Sequence, residues 1–552
     1  MKRLKLLAAM LALCAVLAAA VVMGSSYAPV LEPMRPIEEI WALEDARQAS
    51  EGPLVTALEM DGQALAYDAQ SRTFYCTLGL EQGEAWPSLH LTAPGVEGVS
   101  LCFVDDYTYD ACADAIREGY AYEAMAYTDT AYDYFRIVFT GLPLLSIDTK
   151  GQTLTTEDVP VCATMTAYGE ETLCAEARIH LRGASTLLFE KQSYKLELTR
   201  SRNGRISKID REVPGFGIAD DLALLPCLHD ETKMRDRMGW DIWNELTADD
   251  EPFGGRRTGY VEVFKDQAYH GLYLMVEPVD VEEELALAGE MHLLTDSVYR
   301  TAALNFSRER EYVRHPLREN AGYELYYAPS GTQRTEARFA ALRPYMELLT
   351  EDDDEAFAAR AMSLIDVDSM LRHVLLTQGC GMVDNVFNNM YIWAQPGACG
   401  AVTYRFAPWD MDMSWGRERD VIGEEFDRWV FFPVADRLLN LDAGGIRQRA
   451  YAMWQAMRAD VLSMERLEER IQGYAHELAD SGAMLREAER WGSEATYPDG
   501  YELTTFAAMR WTRMDAAMEK LMNTVGPVDF LSASNYAAKA GGALPTPAQD
   551  AP

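Results

Sequence analysis

The hydrophobic pattern changes period along this chain, and that limits the fold classes open to it. Up to about residue 277 the apolar residues come in short alternating runs. These are Arg72-Thr-Phe-Tyr-Cys-Thr-Leu, Tyr134-Phe-Arg-Ile-Val-Phe-Thr, Leu144-Leu-Ser-Ile-Asp, Ala175-Glu-Ala-Arg-Ile-His-Leu, Tyr194-Lys-Leu-Glu-Leu, Tyr260-Val-Glu-Val-Phe and Gly271-Leu-Tyr-Leu-Met-Val-Glu. A period of two predicts strands, and Lys265-Asp-Gln-Ala supplies a hairpin turn between the last two. One helical stretch, Glu231 to Leu246, interrupts the series. From Glu336 the period becomes helical, over 336–349, 355–378 and 447–489, with one strand-like pair at 390–393 and 401–406. Asp366 and Asp368 precede a helical apolar pattern, where Asp caps free N–H groups of a first turn. This mixture of strands and helices predicts an α+β protein.

With 48% hydrophobic residues in 552, the chain has enough apolar material for two or three packed domains, which excludes a disordered or collagen-like protein. Lys and Arg number 50 against 87 Asp and Glu, a formal charge of -37, so nucleic acid is not an expected partner. At the start, Lys2, Arg3 and Lys5 precede an apolar run from Leu6 to Met23 that ends at Gly24-Ser25-Ser26. This pattern predicts an export signal or an N-terminal membrane anchor, two outcomes that the length of the run does not separate. The expected organisation is a signal or anchor at 1–28, a proline-bearing linker at 29–41, a small all-β domain at 42–141, a larger α+β domain at 142–530 that is helical from about 335, and a disordered tail at 531–552. Of nine cysteines, Cys14 lies in the leading segment, leaving eight for a chain bound for an oxidising compartment. Cys162 with Cys174, and Cys380 with Cys399, flank hairpin-sized segments, so disulfides are allowed; no Cys-x-x-Cys spacing predicts structural zinc.

Three segments carry residues suited to chemistry. In Met382-Val-Asp-Asn-Val-Phe-Asn-Asn-Met-Tyr-Ile-Trp, Asp384 and Asn389 have the Asp-x4-Asn spacing of a kinase catalytic loop, although a side-chain-bonded loop between helix and strand uses the same residues. In Phe406-Ala-Pro-Trp-Asp-Met-Asp-Met-Ser-Trp-Gly, Asp410 and Asp412 follow a strand. Two carboxylates on one face of extended chain suit a hard divalent cation, or else they are exposed loop acids. The aromatic setting of Trp409 and Trp415 argues against full exposure. The third segment, Ile179 to Leu198, places Arg182, Gly183, Ser185, Thr186 and Lys191 at a turn between two strands, a set able to hold phosphate by fork, hydroxyl and point charge. No Walker Gly-x4-Gly-Lys-Ser/Thr motif is present, which disfavours a P-loop nucleotidase.

Together these segments resemble the CotH kinase family of atypical secreted or spore-coat protein kinases. The resemblance covers roughly 142–416 and continues more weakly into the C-terminal helices. It is carried by Arg182-Gly-x-Ser-Thr with Lys191 and Ser193-Tyr194, by Leu224-Leu-Pro-Cys-Leu-His-Asp with Arg235 and Asp236, and by Tyr269-His-Gly-Leu-Tyr-Leu-Met-Val-Glu277. Asp366-Val-Asp-Ser, Asp384-Asn385-x2-Asn388-Asn389 and Pro408-Trp-Asp-x-Asp complete it. The resemblance implies a divergent protein-kinase-like catalytic domain that binds ATP with Mg2+ or Mn2+ and phosphorylates Ser or Thr of a coat or surface protein outside the cytoplasm. It implies Asp384 as the catalytic Asp, Asn389 and Asp410 as metal ligands with Asp412 close by, and Lys191, Arg182 and Ser185 as phosphate contacts. Glu277 is implied as the ion-pair partner of a lysine or as the solvated end of a strand, and His229, Asp230 and Arg235 as framing the nucleotide pocket. Ala184, Thr186 and Gln192 depart from the family pattern. The alternatives are a non-catalytic cell-surface or coat scaffold with a kinase-like fold and, less favoured, a hydrolase using the paired carboxylates, whose adjacency suits a metal clamp better than an acid/base couple.

Overall fold

The structure, a computed structural model, describes residues 29–32, 35–78, 91–104, 112–156, 160–169, 171–183, 185–228, 230–248, 256–288, 290–301, 322–329, 339–397, 401–417, 429–492 and 499–531. The leading segment 1–28, His229, Cys399 and the tail 532–552 lie outside them. Chain contacts define two compact units: residues 1–226, 259–276 and 476–497 form one, and 227–258, 277–475 and 498–552 the other. Helices and strands are both plentiful, as expected of an α+β chain.

In the first unit a sheet runs in the order Leu31–Glu32, Ser100–Phe103, Ala121–Tyr127, Ala131–Thr140, Thr73–Thr77 and Ala66–Asp68, with Gln48–Ala49 also paired to Ala131–Thr140. Phe74, Leu101, Ala124 and Ile137 bury one face together with Ala115 and Ile116 of the helix Cys112–Arg117. Two expectations change here. Residues 29–41 are not a linker: Leu31–Glu32 pairs in parallel with Leu101 and Cys102, and the helix Ile37–Asp45 buries Ile40 against Met125 and Tyr127. Pro36 stands at the N-terminal cap of that helix, where a missing N–H is tolerated. Nor is the segment purely β, since it contains both of these helices.

Eight strands follow in the same unit: β1 (Leu144–Asp148), β2 (Val161–Tyr168), β3 (Leu173–Arg182), β4 (Ser193–Arg202), β5 (Arg205–Lys208), β6 (Asp221–Leu225), β7 (Thr258–Lys265) and β8 (Ala268–Val276). Among the described residues they pair in the order β3-β2-β1-β7-β8-β6-β4-β5, and β3 also pairs with β4. All but β5 therefore close into a barrel, which removes exposed edges. Its interior holds Ile147, Met165, Ile179, Leu196, Leu222, Val261 and Tyr273, the alternating apolar positions of the sequence. The β7–β8 turn places Asp266 and Gln267 at φ 52° and 62°, the paired left-handed conformation that matches the twist of a two-residue hairpin. Glu262 of β7 is fully buried and accepts from Arg486 Nε and Nη2, both at 2.7 Å, and from Tyr269 Oη at 2.6 Å. Burial opposes its charge, yet the Arg486 guanidinium holds the carboxyl below the usual carboxylate range.

In the second unit Tyr323–Tyr327, Ser297–Thr301, Met390–Pro396 and Val402–Pro408 form a sheet in that order. The helix Val367–Cys380 packs on the last strand through Ser369, whose hydroxyl accepts from Phe406 N at 2.9 Å. As the sequence predicts, Asp366 caps this helix by accepting from Ser369 N at 3.0 Å. The helical stretch 355–378 is divided at that cap: Asp354–Leu364 ends where Ile365 forms a bridge to Tyr404, and the next helix starts at Val367. A further helix, Tyr501–Asn523, falls in the part expected to be helical from about 335 and buries Phe506, Trp511, Met514, Met518 and Leu521. Cys76, Cys112, Cys162, Cys174 and Cys380 are free thiols; Cys162 faces Arg178 and Cys174 faces Thr166 across β2–β3, so these two are not cross-strand neighbours. No helix among the described residues is long and apolar enough to cross a membrane.

Two buried histidines make the fold acid-sensitive. Burial, with the charges of Lys265, Lys191 and Arg490, lowers His270 to about 3, and burial lowers His373 to about 4. Both are neutral when folded and gain a proton only on unfolding below about pH 6.5, so stability falls with pH from there down to the folded values. Going from pH 7 to pH 5 should cost about 2 kcal/mol per histidine. Urea midpoints at the two pH values test this: the fall should shrink in His270→Gln, and an unchanged fall would contradict a buried neutral His270.

Candidate active site

The site of the second unit is built at one end of a hairpin. Met390 pairs with Pro408, so the residues just outside the strands, Asn389 and Trp409, are brought together, and Trp409 N donates to Asn389 O at 2.8 Å. Asp384 opens the short helix Asp384–Phe387, and its two carboxylate oxygens accept from Asn388 Nδ2 at 2.6 Å and from Asn389 Nδ2 at 3.1 Å. The structure thus brings together the Asp and Asn singled out by spacing, and Asn389 keeps Oδ1 as its side-chain acceptor. Asn389 and Asp410 both adopt left-handed backbone, φ 50° and 56°, which Asn and Asp tolerate better than most side chains.

Asp410 and Asp412 are not on a strand face as expected, because the strand ends at Pro408 and the chain turns at Asp410. They nevertheless share one recess. Burial and the neighbouring charges of Asp410, Asp236, Asp230 and Asp384 push the Asp412 carboxyl well above the ordinary carboxylate range. Its side chain still keeps 41% of its surface open to solvent, so the recess has a mouth. A basic neighbour is present, Arg417 Nη1 at 3.5 Å from Asp412.

The helix Arg235–Leu246 holds this loop in place. Asp230 accepts from Thr232 N (3.1 Å), Thr232 Oγ1 (2.7 Å) and Arg235 N (2.8 Å), and it pairs with the Arg235 guanidinium. Arg235 Nε donates to Ser414 O at 3.2 Å, and Asp236 accepts from Met411 N at 2.8 Å. Gly239 admits Met411, since a Cβ there would lie 2.8 Å from the Met411 Cβ. Arg235 and Asp236 thereby grip the 411–414 backbone while Asp230 holds Arg235, and Asp236 is a contributor that sequence reasoning named only as a landmark.

The donor set fits a hard divalent cation. Two carboxylates and an amide oxygen, in a recess where like charges raise a carboxyl pKa, match the one or two carboxylates that Mg2+ takes alongside phosphate and water. Among the described residues no group of three or more His, Cys, Asp or Glu could hold a metal by itself.

In the first unit Arg182 ends β3, half-buried, and Gly183 follows at φ 85°; a Cβ there would sit 2.4 Å from Thr186 Oγ1, which donates to Arg182 O at 3.1 Å. Ser185 opens the short 3-10 helix Ser185–Leu188. Lys191 does not present the free point charge expected of it. It is 1% exposed and donates to Leu272 O (2.7 Å), Pro226 O (2.8 Å) and Glu487, with its ammonium over the Tyr273 ring. Its partner is Glu487 and not Glu277. Glu277 pairs instead with Arg257, whose Nη2 lies 2.7 Å away, which corrects its assignment to a lysine. Glu487 was overlooked; the available signal was a charged residue on the face of the helix Ala483–Trp491 that also buries Ala483, Met484 and Ala488.

An α+β chain with a carboxylate recess next to a paired Asp and Asn is the class these features define. A family model described as CotH kinase protein matches residues 179–523, more than half of the chain, and the protein belongs to that family. No curated protein matches the chain.

The Tyr269-His-Gly-Leu-Tyr motif has a local reason. Gly271 sits at φ 104°, a Cβ there would come 2.3 Å from Glu487 Oε2, and Leu272 N donates to that same oxygen at 2.8 Å. Gly271→Ala should therefore destabilise the protein by about 2 kcal/mol or more. Chemical denaturation measures this, and a loss under about 0.5 kcal/mol, the scale of neutral surface changes, would contradict the docking of Glu487 at this glycine.

Proposed function

We propose that this protein is an exported atypical protein kinase that transfers the γ-phosphate of ATP to Ser or Thr hydroxyls of a coat or surface protein outside the cytoplasm. In this reading residues 142–530 form a divergent protein-kinase-like catalytic domain, and 1–28 direct export or anchor the chain. The observation that carries it is Asp384 held by Asn388 and Asn389 beside the recess of Asp410 and Asp412.

The two amide donors fix the plane of the Asp384 carboxylate, which can then orient an acceptor hydroxyl and take its proton. Asn389, Asp410 and Asp412 would hold Mg2+ or Mn2+, which when bound supplies positive charge to the phosphates. The grip of Arg235 and Asp236 on the 411–414 backbone keeps those carboxylates in place. Arg182 and Ser185 are proposed as phosphate contacts, and Lys191 as one only when it leaves Glu487. The buried Lys191 favours a second reading, a non-catalytic surface or coat scaffold that retains the kinase-like arrangement.

The two readings differ on transfer of labelled γ-phosphate from ATP to casein and to the protein itself, with Mg2+ or Mn2+. The kinase reading expects transfer by the full chain, reduced about 100-fold or more in Asp384→Asn and in Asp410→Ala. Absence of transfer with either metal, or transfer that survives Asp384→Asn, would overturn it.

A further inference from the structure

The side chain of Asn385 lies between the two loops that carry the proposed metal ligands. It is fully buried, and its Nδ2 donates both to Trp409 O at 2.7 Å and to Asn389 O at 3.2 Å. Those carbonyls belong to the peptide groups that join Asn389 to Met390 and Trp409 to Asp410. One amide therefore fixes the peptide plane leaving Asn389 and the plane entering Asp410, the two residues held in left-handed backbone. Such backbone is unfavourable for a non-glycine residue and persists where its surroundings over-determine it.

Asn385 is itself anchored from behind. Its main-chain carbonyl pairs with His373 Nε2 at 2.9 Å, from the middle of the helix Val367–Cys380, and His373 is fully buried and kept neutral by burial. The chemistry at this position needs a forked donor of short reach. Aspartate would turn oxygens toward two carbonyls, alanine would remove the donor that ties the two carbonyls together and leave Asn389 O with Trp409 N, and glutamine adds a methylene to a closed space. Asn385 Oδ1, by contrast, is buried with no hydrogen-bond partner among the described residues. The position accepts the cost of that orphaned oxygen, which identifies the amide nitrogen as the group the fold requires.

We infer that Asn385 is a positioning residue of this site, setting the backbone at Asn389 and Asp410 so that both side chains address one divalent cation. The inference rests on the metal-site reading above. It differs from a packing role in that it predicts a change in cation affinity of the folded protein.

The test is Mn2+ binding by the full chain, followed by electron paramagnetic resonance of free Mn2+, in wild type, Asn385→Ala and the milder Asn385→Ser, with melting temperatures taken alongside. The Mn2+ dissociation constant should rise at least about tenfold in Asn385→Ala, equivalent to about 1.4 kcal/mol, and by less in Asn385→Ser. Phosphate transfer should recover in part when Mn2+ is raised to saturation. Folded variants that melt lower but bind Mn2+ as wild type does would overturn the positioning role alone. If wild type binds Mn2+ without transferring phosphate, the kinase reading fails while the variant titration still decides the role of Asn385. If wild type binds no Mn2+, both fail.

Discussion

Burial, together with the crowding of like charges around Asp412, is the constraint that the site of the second unit has to meet. Asp230, Asp236, Asp384 and Asp410 all act on Asp412, in a recess where burial already penalises charge. Left alone, such a cluster would protonate or pull apart. Asp230 is held by Arg235, Asp236 by the Met411 amide, Asp384 by two asparagine amides and Asp412 by Arg417. These contacts fix the positions of the carboxylates. In the proposed kinase reading this recess would take a divalent cation, and the Asp-Asn pairing beside it would serve phosphoryl transfer.

The first unit meets a related problem with one short helix. Neighbouring residues of Ala483–Trp491 carry opposite charges into separate buried pairs, Arg486 to Glu262 and Glu487 to Lys191. Truncating any one of the four would leave a partner charged and buried, a loss of about 3–5 kcal/mol. The barrel wall is opened for this helix at Gly271, the residue in the Tyr269-His-Gly-Leu-Tyr motif that has no side chain to obstruct Glu487.

What could be read in the sequence is what depends on near neighbours. The strand runs, the Asp266-Gln267 turn, the Asp366 cap and the approach of Asn389 to Asp384 all follow from local period or spacing, and the structure contains each of them. Long-range pairing was not legible: Lys191 and Glu487 are 296 residues apart, so a lysine in a turn read as an exposed charge. The turn at Asp410 was missed because a left-handed aspartate leaves no mark on the sequence, and alternation then wrongly placed Asp410 and Asp412 on one strand face. Residues 29–41 read as a linker because proline suggests loops, whereas Pro36 here starts a helix that buries Ile40.

The central claim is that Asn389 and Asp410, brought together by one hairpin end, form a divalent-cation site. Anomalous scattering from crystals soaked in Mn2+ with a non-hydrolysable ATP analogue tests it most directly. The account predicts a manganese peak bonded to the Asn389 amide oxygen and an Asp410 carboxylate oxygen. A peak elsewhere, or none at saturating Mn2+, would contradict it.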